Sequence, residues 1–153
     1  MRTAEHWVYL CVVLDVYSGL VVGWSMSPRQ DRQWVMHAVW MALWKRSART
    51  PVILHSDRGC QLMSEEYQRV LEAHQVICSV STVGSWADNA AAESFFGVFT
   101  RERVSRQHDQ TRAEARADMF DYIERCHNPR QRRRLDRQQH EERLFTQPSV
   151  VSG

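Results

Sequence analysis

Lysine is almost missing from this 153-residue chain, where arginine outnumbers it 19 to 1. The imbalance fits GC-rich coding, and it leaves the guanidinium as nearly the sole cationic side chain. No apolar stretch reaches 18 residues, which excludes a membrane-spanning helix of ordinary composition and predicts no membrane partner. The N-terminus lacks the basic and apolar regions of a signal peptide, so a soluble, cytoplasmic protein is expected. The four cysteines (Cys11, Cys60, Cys78 and Cys126) are scattered, without a Cys-x-x-Cys pair or paired histidine spacing. That argues against a zinc site and predicts free thiols in a reducing compartment. Repeats and low-complexity segments are absent too.

What is present is ordinary for a globular domain: 43% hydrophobic and 25% charged residues, enough in one unit to bury a core. The net charge of +2 says little about nucleic acid, but its distribution says more. Residues 101–143 hold 12 Arg against 9 Asp and Glu, so the excess lies there and the remainder nets −1. Arg130, Arg132, Arg133, Arg134 and Arg137 form a run after Asn128-Pro129. Planar guanidinium forks pair with phosphates, and phosphate contacts dominate DNA affinity. A solvated arginine-rich tail is the bland alternative.

Trp7 to Leu14 is a continuous apolar run that predicts a strand buried on both faces. A turn over Asp15–Gly19 and a return strand over Leu20–Ser25 follow. Trp34, Val35, Ala38, Val39, Ala42 and Leu43 then share one helical face. Pro51 to Leu54 reads as a strand, Ser64 as the cap of a helix over 65–74, and Val76 to Val80 as a parallel strand. After a polar loop at 81–88, Asp88 or Asn89 is expected to cap a helix with an Ala92, Phe95, Phe96 and Phe99 stripe. Glu93 is expected near its N-terminus, where negative charge is favoured. Thr111 and Glu114 fit a capping box for a helix carrying Phe120, Ile123 and Cys126 inward and ended by Pro129. The Arg-rich segment can be helical, and the chain is expected to fray from Thr146. The fold class is α/β, a mixed sheet flanked by helices.

Two carboxylates stand in non-generic settings. Asp57 lies in His55-Ser56-Asp57-Arg58-Gly59 after an apolar strand, and Glu93 lies in Asp88-Asn89-Ala90-Ala91-Ala92-Glu93-Ser94-Phe95-Phe96 on a helix. A strand-end carboxylate and a helix carboxylate can converge and share a hard divalent cation together with substrate phosphates. His55 is read as a hydrogen-bonding support rather than a ligand, and Trp86 as the tryptophan best placed to stack on a base.

Those two segments resemble the integrase core of bacterial insertion-sequence transposases, a group related to retroviral integrases. Trp7-Val8-Tyr9-Leu10-Cys11-Val12-Val13-Leu14-Asp15, Val21-Val22-Gly23-Trp24-Ser25-Met26-Ser27 and His127-Asn128-Pro129-Arg130 carry the resemblance further, from Arg2 to about Arg134. It implies a ribonuclease H-like fold over residues 1–134, with 135–153 as a divergent tail. It also implies Mg²⁺ (or Mn²⁺)-dependent cleavage and joining of DNA, with transposon ends and target DNA as partners and no small-molecule substrate. Asp57 and Glu93 would be catalytic metal ligands. Arg58 and Arg101 would lie on the phosphate side, and Arg130, Arg132, Arg133 and Arg134 would position DNA.

The resemblance implies a third acidic ligand, an Asp on a first strand that would precede Met1. Asp15, at the hairpin, reads as a turn-stabilising residue instead. The position seven after Glu93, usually basic in the family, is Thr100, and the places before the helix that are commonly basic hold Thr82 and Val83. A chain beginning after the first strand is expected to show an exposed sheet edge along Trp7–Leu14, to self-associate, and to transfer strands negligibly by itself. Two other classes stand beside this reading: a catalytically silent DNA-binding or oligomerising remnant, and a ribonuclease acting on an RNA–DNA hybrid.

Overall fold

The structure is a computed structural model that describes residues 1–46, 50–55, 64–79, 86–103 and 111–146. The chain opens with a small hairpin, β1 (Arg2–Thr3) against β2 (His6–Trp7). β3 (Tyr9–Leu14) then pairs antiparallel with β4 (Val21–Ser27). Asp15 organises the turn between them, as the sequence predicted: its carboxylate accepts from Ser18 Oγ and from the Tyr17 amide. Gly19, at φ +69°, occupies the left-handed conformation that the turn needs.

Helix α1 (Arg32–Lys45) starts at Asp31, whose side chain accepts from the Trp34 amide at 2.8 Å. It lies directly on β4. A Cβ added at Gly23 would stand 2.0 Å from the Ala38 carbonyl oxygen and 2.9 Å from the Ala42 nitrogen. Only glycine lets the helix backbone approach that closely. Trp34 fixes the same contact, its indole N–H donating to the Ser25 carbonyl while Ser25 Oγ donates to the Trp34 carbonyl.

β5 (Val52–His55), α2 (Glu65–Ala73) and β6 (Val76–Ser79) follow, with β5 and β6 paired in parallel. This is the strand, helix, strand order expected from sequence. Gln75, at φ 57°, makes the sharp exit from α2, and its carbonyl accepts from the Val52 amide at 3.1 Å. The sequence predicted one mixed sheet. Among the described residues the antiparallel pair β3–β4 and the parallel pair β5–β6 are separate, because no described strand lies between β3 and β5.

α3 (Trp86–Glu102) begins at Trp86, so Asp88 and Asn89 lie inside its first turn rather than capping it. An acidic residue in the first turn is favourable there in its own right. α4 (Arg112–Asp121) carries both halves of the predicted Thr111–Glu114 capping box. Pro129 does not end it. Residues Tyr122–His127 form a π turn, and α5 (Asn128–Thr146) continues from it. The wider i→i+5 turn gives the Pro129 ring room that the carbonyl four residues back would otherwise fill.

Two apolar clusters hold the elements. Val21, Trp24, Phe95, Phe99, Met119, Tyr122 and Ile123 form the larger, with Leu10, Val12 and Leu14 packed against it. Val39, Tyr67, Leu71 and Val76 form the smaller, joined by Val13 and Leu54. Alternate residues of β3 therefore serve opposite cores, as a two-faced strand must. The strand is half-buried rather than buried, since among the described residues β3 has a neighbour on one edge only, and Trp7, on β2, is exposed. Phe96 and Phe120, expected inward, are exposed: the buried lines are Phe95–Phe99 on α3 and Ala115–Met119–Tyr122 on α4 and the π turn.

Candidate carboxylate and nucleic-acid site

Glu93 lies seven residues into α3, two turns from the start, on an exposed position. The first-turn dipole advantage expected for it is therefore lost, since that effect fades beyond one turn. What holds it is packing. Phe95 and Phe99, on the same helix, are 3% and 2% exposed and stack at 6.1 Å between ring centroids. The helix backbone beneath this exposed carboxylate is thereby anchored, and the carboxylate itself is a hard oxygen donor. Its proposed companion Asp57 lies outside the described residues, as does Arg58. β5 ends at His55, two residues before Asp57 in the chain. Trp86 opens α3, and its side chain is likewise outside the described set.

Among the described residues no three His, Cys, Asp or Glu side chains gather at one point. The donor chemistry of Asp57 and Glu93, carboxylates without thiolate or imidazole, fits Mg²⁺ or Mn²⁺ rather than a softer ion. Burial pushes the Cys11 thiol up to about 11 and raises Cys78 as well, so these free thiols are poor metal ligands at neutral pH.

The arginines do not form one patch. Arg101, exposed in the last turn of α3, turns its Nε back to donate to the Gly97 carbonyl at 3.1 Å. It stands about 12 Å along the helix axis from Glu93. On α5, Arg130, Arg133, Arg134 and Arg137 fall within about 100° of arc, whereas Arg132 is turned roughly 200° from Arg130. Arg130, Arg133 and Arg137 line an open surface cleft together with Asp136. Arg130 is already engaged: one Nη1 meets both Glu102 oxygens, at 2.9 and 3.0 Å. That ion pair clamps the start of α5 to the end of α3, and the Glu102 carboxylate keeps the guanidinium firmly charged.

His127 and Asn128, which the sequence offered only as part of a family motif, turn out to have a definite structural role. Asn128, 3% exposed, imitates a strand neighbour. Its Oδ1 accepts from the Val21 amide at 2.9 Å and its Nδ2 donates to the Val21 carbonyl at 3.0 Å. His127 Nε2 donates to the Gly19 carbonyl at 2.9 Å, and burial lowers the imidazole pKa. Together they fasten the π turn to the β3–β4 hairpin across more than a hundred residues of sequence. Arg103 pairs with Asp118 at 2.9 Å over the Tyr122 ring.

The chain matches the integrase core domain family over residues 1–85 and again over residues 93–143. The chain belongs to that family. Among curated relatives of this integrase core is the transposase InsF of insertion sequence IS3A from Escherichia coli (strain K12). It is 45% identical over 128 residues, which cover 84% of this chain and 44% of that protein. The transposase of insertion sequence element IS904 from Lactococcus lactis subsp. lactis (strain IL1403) is 39% identical over 126 residues, 82% of this chain and 50% of the relative. The integrase core thus spans about half the length of these relatives. No solved structure matches it. No described helix is long and apolar enough to cross a membrane.

Proposed function

We propose that this integrase core acts on DNA in transposition, within a ribonuclease H-like arrangement over residues 1–134. The tail from 135 begins as the continuation of α5. The observation that carries the reading is Glu93, an exposed carboxylate fixed on a rigid helix inside a chain 45% identical to a transposase over 84% of its length. An antiparallel pair followed by a parallel strand–helix–strand unit supports the fold assignment.

In this reading Asp57 and Glu93 hold Mg²⁺ or Mn²⁺, which when bound supplies Lewis-acid charge to a phosphoryl oxygen. The Phe95 and Phe99 anchors hold the helix that carries Glu93, so the backbone beneath the carboxylate is set before any reaction. Arg133, Arg134 and Arg137, on one face of α5, hold the sugar–phosphate backbone of transposon ends and target DNA. Arg130 holds α5 in register through Glu102 and adds charge to the same face. Arg132 reaches phosphate on the opposite side of the helix, while Arg58 and Arg101 serve the carboxylate side. Self-association of the core brings two DNA ends together.

The test is a binding and cleavage assay on double-stranded transposon-end DNA, with an RNA–DNA hybrid beside it. Affinity should fall by about 10- to 1,000-fold between 50 and 200 mM salt, as several arginine–phosphate contacts require. Any Mg²⁺-dependent cleavage should be lost in Glu93→Gln with binding retained. A flat salt response, or full cleavage by Glu93→Gln, overturns the proposal. Binding with no cleavage selects the silent DNA-binding alternative, and cleavage confined to the hybrid selects the ribonuclease.

A further inference from the structure

The turn between β3 and β4 spends its small and acidic residues on itself and leaves its large ones outside. Asp15 accepts from Ser18 Oγ and from the Tyr17 amide, and its carbonyl accepts from the Gly19 amide at 2.7 Å. Ser18 is buried, and His127 Nε2 holds the Gly19 carbonyl at 2.9 Å from the π turn. On that clamped backbone Tyr17 is 78% exposed and Val16 55%. Glycine, asparagine, aspartate or serine would serve the outer positions of a turn, so the turn itself does not require an aromatic ring held out in water.

What lies beside this tip is cationic. A Cβ added at Gly19 would stand 3.3 Å from Arg134 Nη2, so that guanidinium rests against the turn, two residues from Tyr17. Two residues of chain span no more than about 7 Å. Arg130, Arg133 and Arg137 continue from Arg134 on the same side of α5. Asp15, the one acid of the turn, has both carboxylate oxygens engaged within it. The tip therefore offers a ring face and a phosphate-pairing fork side by side. It stands apart from the candidate carboxylate, because Arg130 pairs with Glu102, nine residues beyond Glu93 and about 13 Å along α3.

We propose that Tyr17 stacks on a base of bound DNA while Arg134 holds the phosphate of the same nucleotide. A ring reaches the face of a base only where that base has left the duplex stack. The ligand is therefore DNA with an unpaired nucleotide beside a duplex, and the other α5 arginines hold the duplex by its phosphates. Stacking of this kind tolerates any sequence, because every base has a π face. Two apolar side chains next to a guanidinium face are too small a surface for a stable protein interface, which favours the nucleotide as occupant. The inference rests on the DNA reading above and adds to it a residue and a kind of DNA.

The test compares a blunt duplex with the same duplex carrying a short single-stranded overhang that contains 2-aminopurine, across a salt series. The overhang should tighten binding by about 5-fold or more and quench the 2-aminopurine fluorescence. Tyr17→Phe should keep both effects. Tyr17→Ala should lose both, and so should Tyr17→Leu, which retains apolar bulk without a ring. Neither loss should alter the slope of affinity against salt, since the ring touches no phosphate, whereas Arg134→Ala should lower that slope by about one. Salt-dependent binding in which Tyr17→Ala or Tyr17→Leu keeps the overhang gain overturns the proposal and leaves the DNA reading standing. No salt-dependent binding of either probe overturns both. Loss of a dimer in sedimentation by Tyr17→Ala, with DNA affinity unchanged, overturns the proposal in favour of a protein contact.

Discussion

The two apolar clusters of this molecule are built to different standards. Around Phe95 the side chains of Met119, Tyr122 and Ile123 are wholly buried, and even the polar neighbours His127 and Asn128 are satisfied by backbone partners. Around Leu71 the cluster has four buried members, and the adjoining strands leave Ile53 71% and Ile77 58% exposed. The difference is that the first cluster is closed by three layers (β4, α3, and the α4–π–α5 rod), whereas β5 and β6 lie at a sheet margin. A side chain in a core closed on every side is costly to truncate, whereas one on an open margin is already partly hydrated and loses little.

Truncating the closed core gives the largest contrast. Phe95→Ala should cost about 3–5 kcal/mol in chemical denaturation, because it removes the ring that meets Phe99, Tyr122 and His127. Ile77→Ala, on the open margin, should cost less than about 1 kcal/mol. Comparable losses at the two sites would break the comparison.

Gly23 sharpens it, since α1 packs on β4 there while its Val39 belongs to the smaller cluster. Gly23→Ala should cost about 3 kcal/mol, because the obstructing atoms are helix backbone and cannot rotate away. Thermal melting of the variant would expose the joint: Val39 and Leu71 should loosen with it. A variant as stable as the parent would show that the helix lifts freely.

Asn128→Ala is expected next, at about 2 kcal/mol, since it leaves the buried Val21 amide and carbonyl both unanswered. Denaturant midpoints of the parent and variant check it, and Asn128→Asp should recover little because a carboxylate cannot donate to the carbonyl.

The smallest effect is a pH slope. Burial holds His127 below the ordinary histidine value of 6.5, so the folded state binds fewer protons than the unfolded state. Its contribution is therefore full above about pH 6.5 and declines as pH falls through 6.5 toward the lower folded value. His127→Gln should flatten that part of the stability profile. An unchanged slope would place the acid sensitivity elsewhere.

These comparisons also show what could be read without coordinates. The Asp15 turn and the Thr111–Glu114 box were legible because a local side chain answers a local backbone group. The α/β class was legible because periodicity changes at clear turns. The β3 run announced two-faced burial, yet the strand is half-buried, with one edge unpaired among the described residues. Phe96 and Phe120 misled because hydrophobicity does not say which side of a crowded stripe wins the core. The Arg130–Glu102 pair and the Asn128–Val21 bonds depend on contacts 28 and 107 residues apart, which no window reveals. Within the candidate site, the helix bearing Glu93 was legible, whereas its starting residue and the splitting of the arginine run into two faces came from the geometry of α3 and α5.

The π turn at Tyr122–His127 amounts to one residue spliced into an otherwise continuous rod. Every side chain downstream is therefore rotated by about 100° from where an unbroken α-helix would carry it. The phase of the arginine face is set there, upstream of the arginines themselves. Winding that turn as ordinary α-helix with its length unchanged would leave their number and charge intact while swinging all of them a quarter-turn or more away, and removing one residue along with the change would bring them back. A lineage of this chain can thus re-aim its cationic surface through the winding of one turn, without touching one arginine codon.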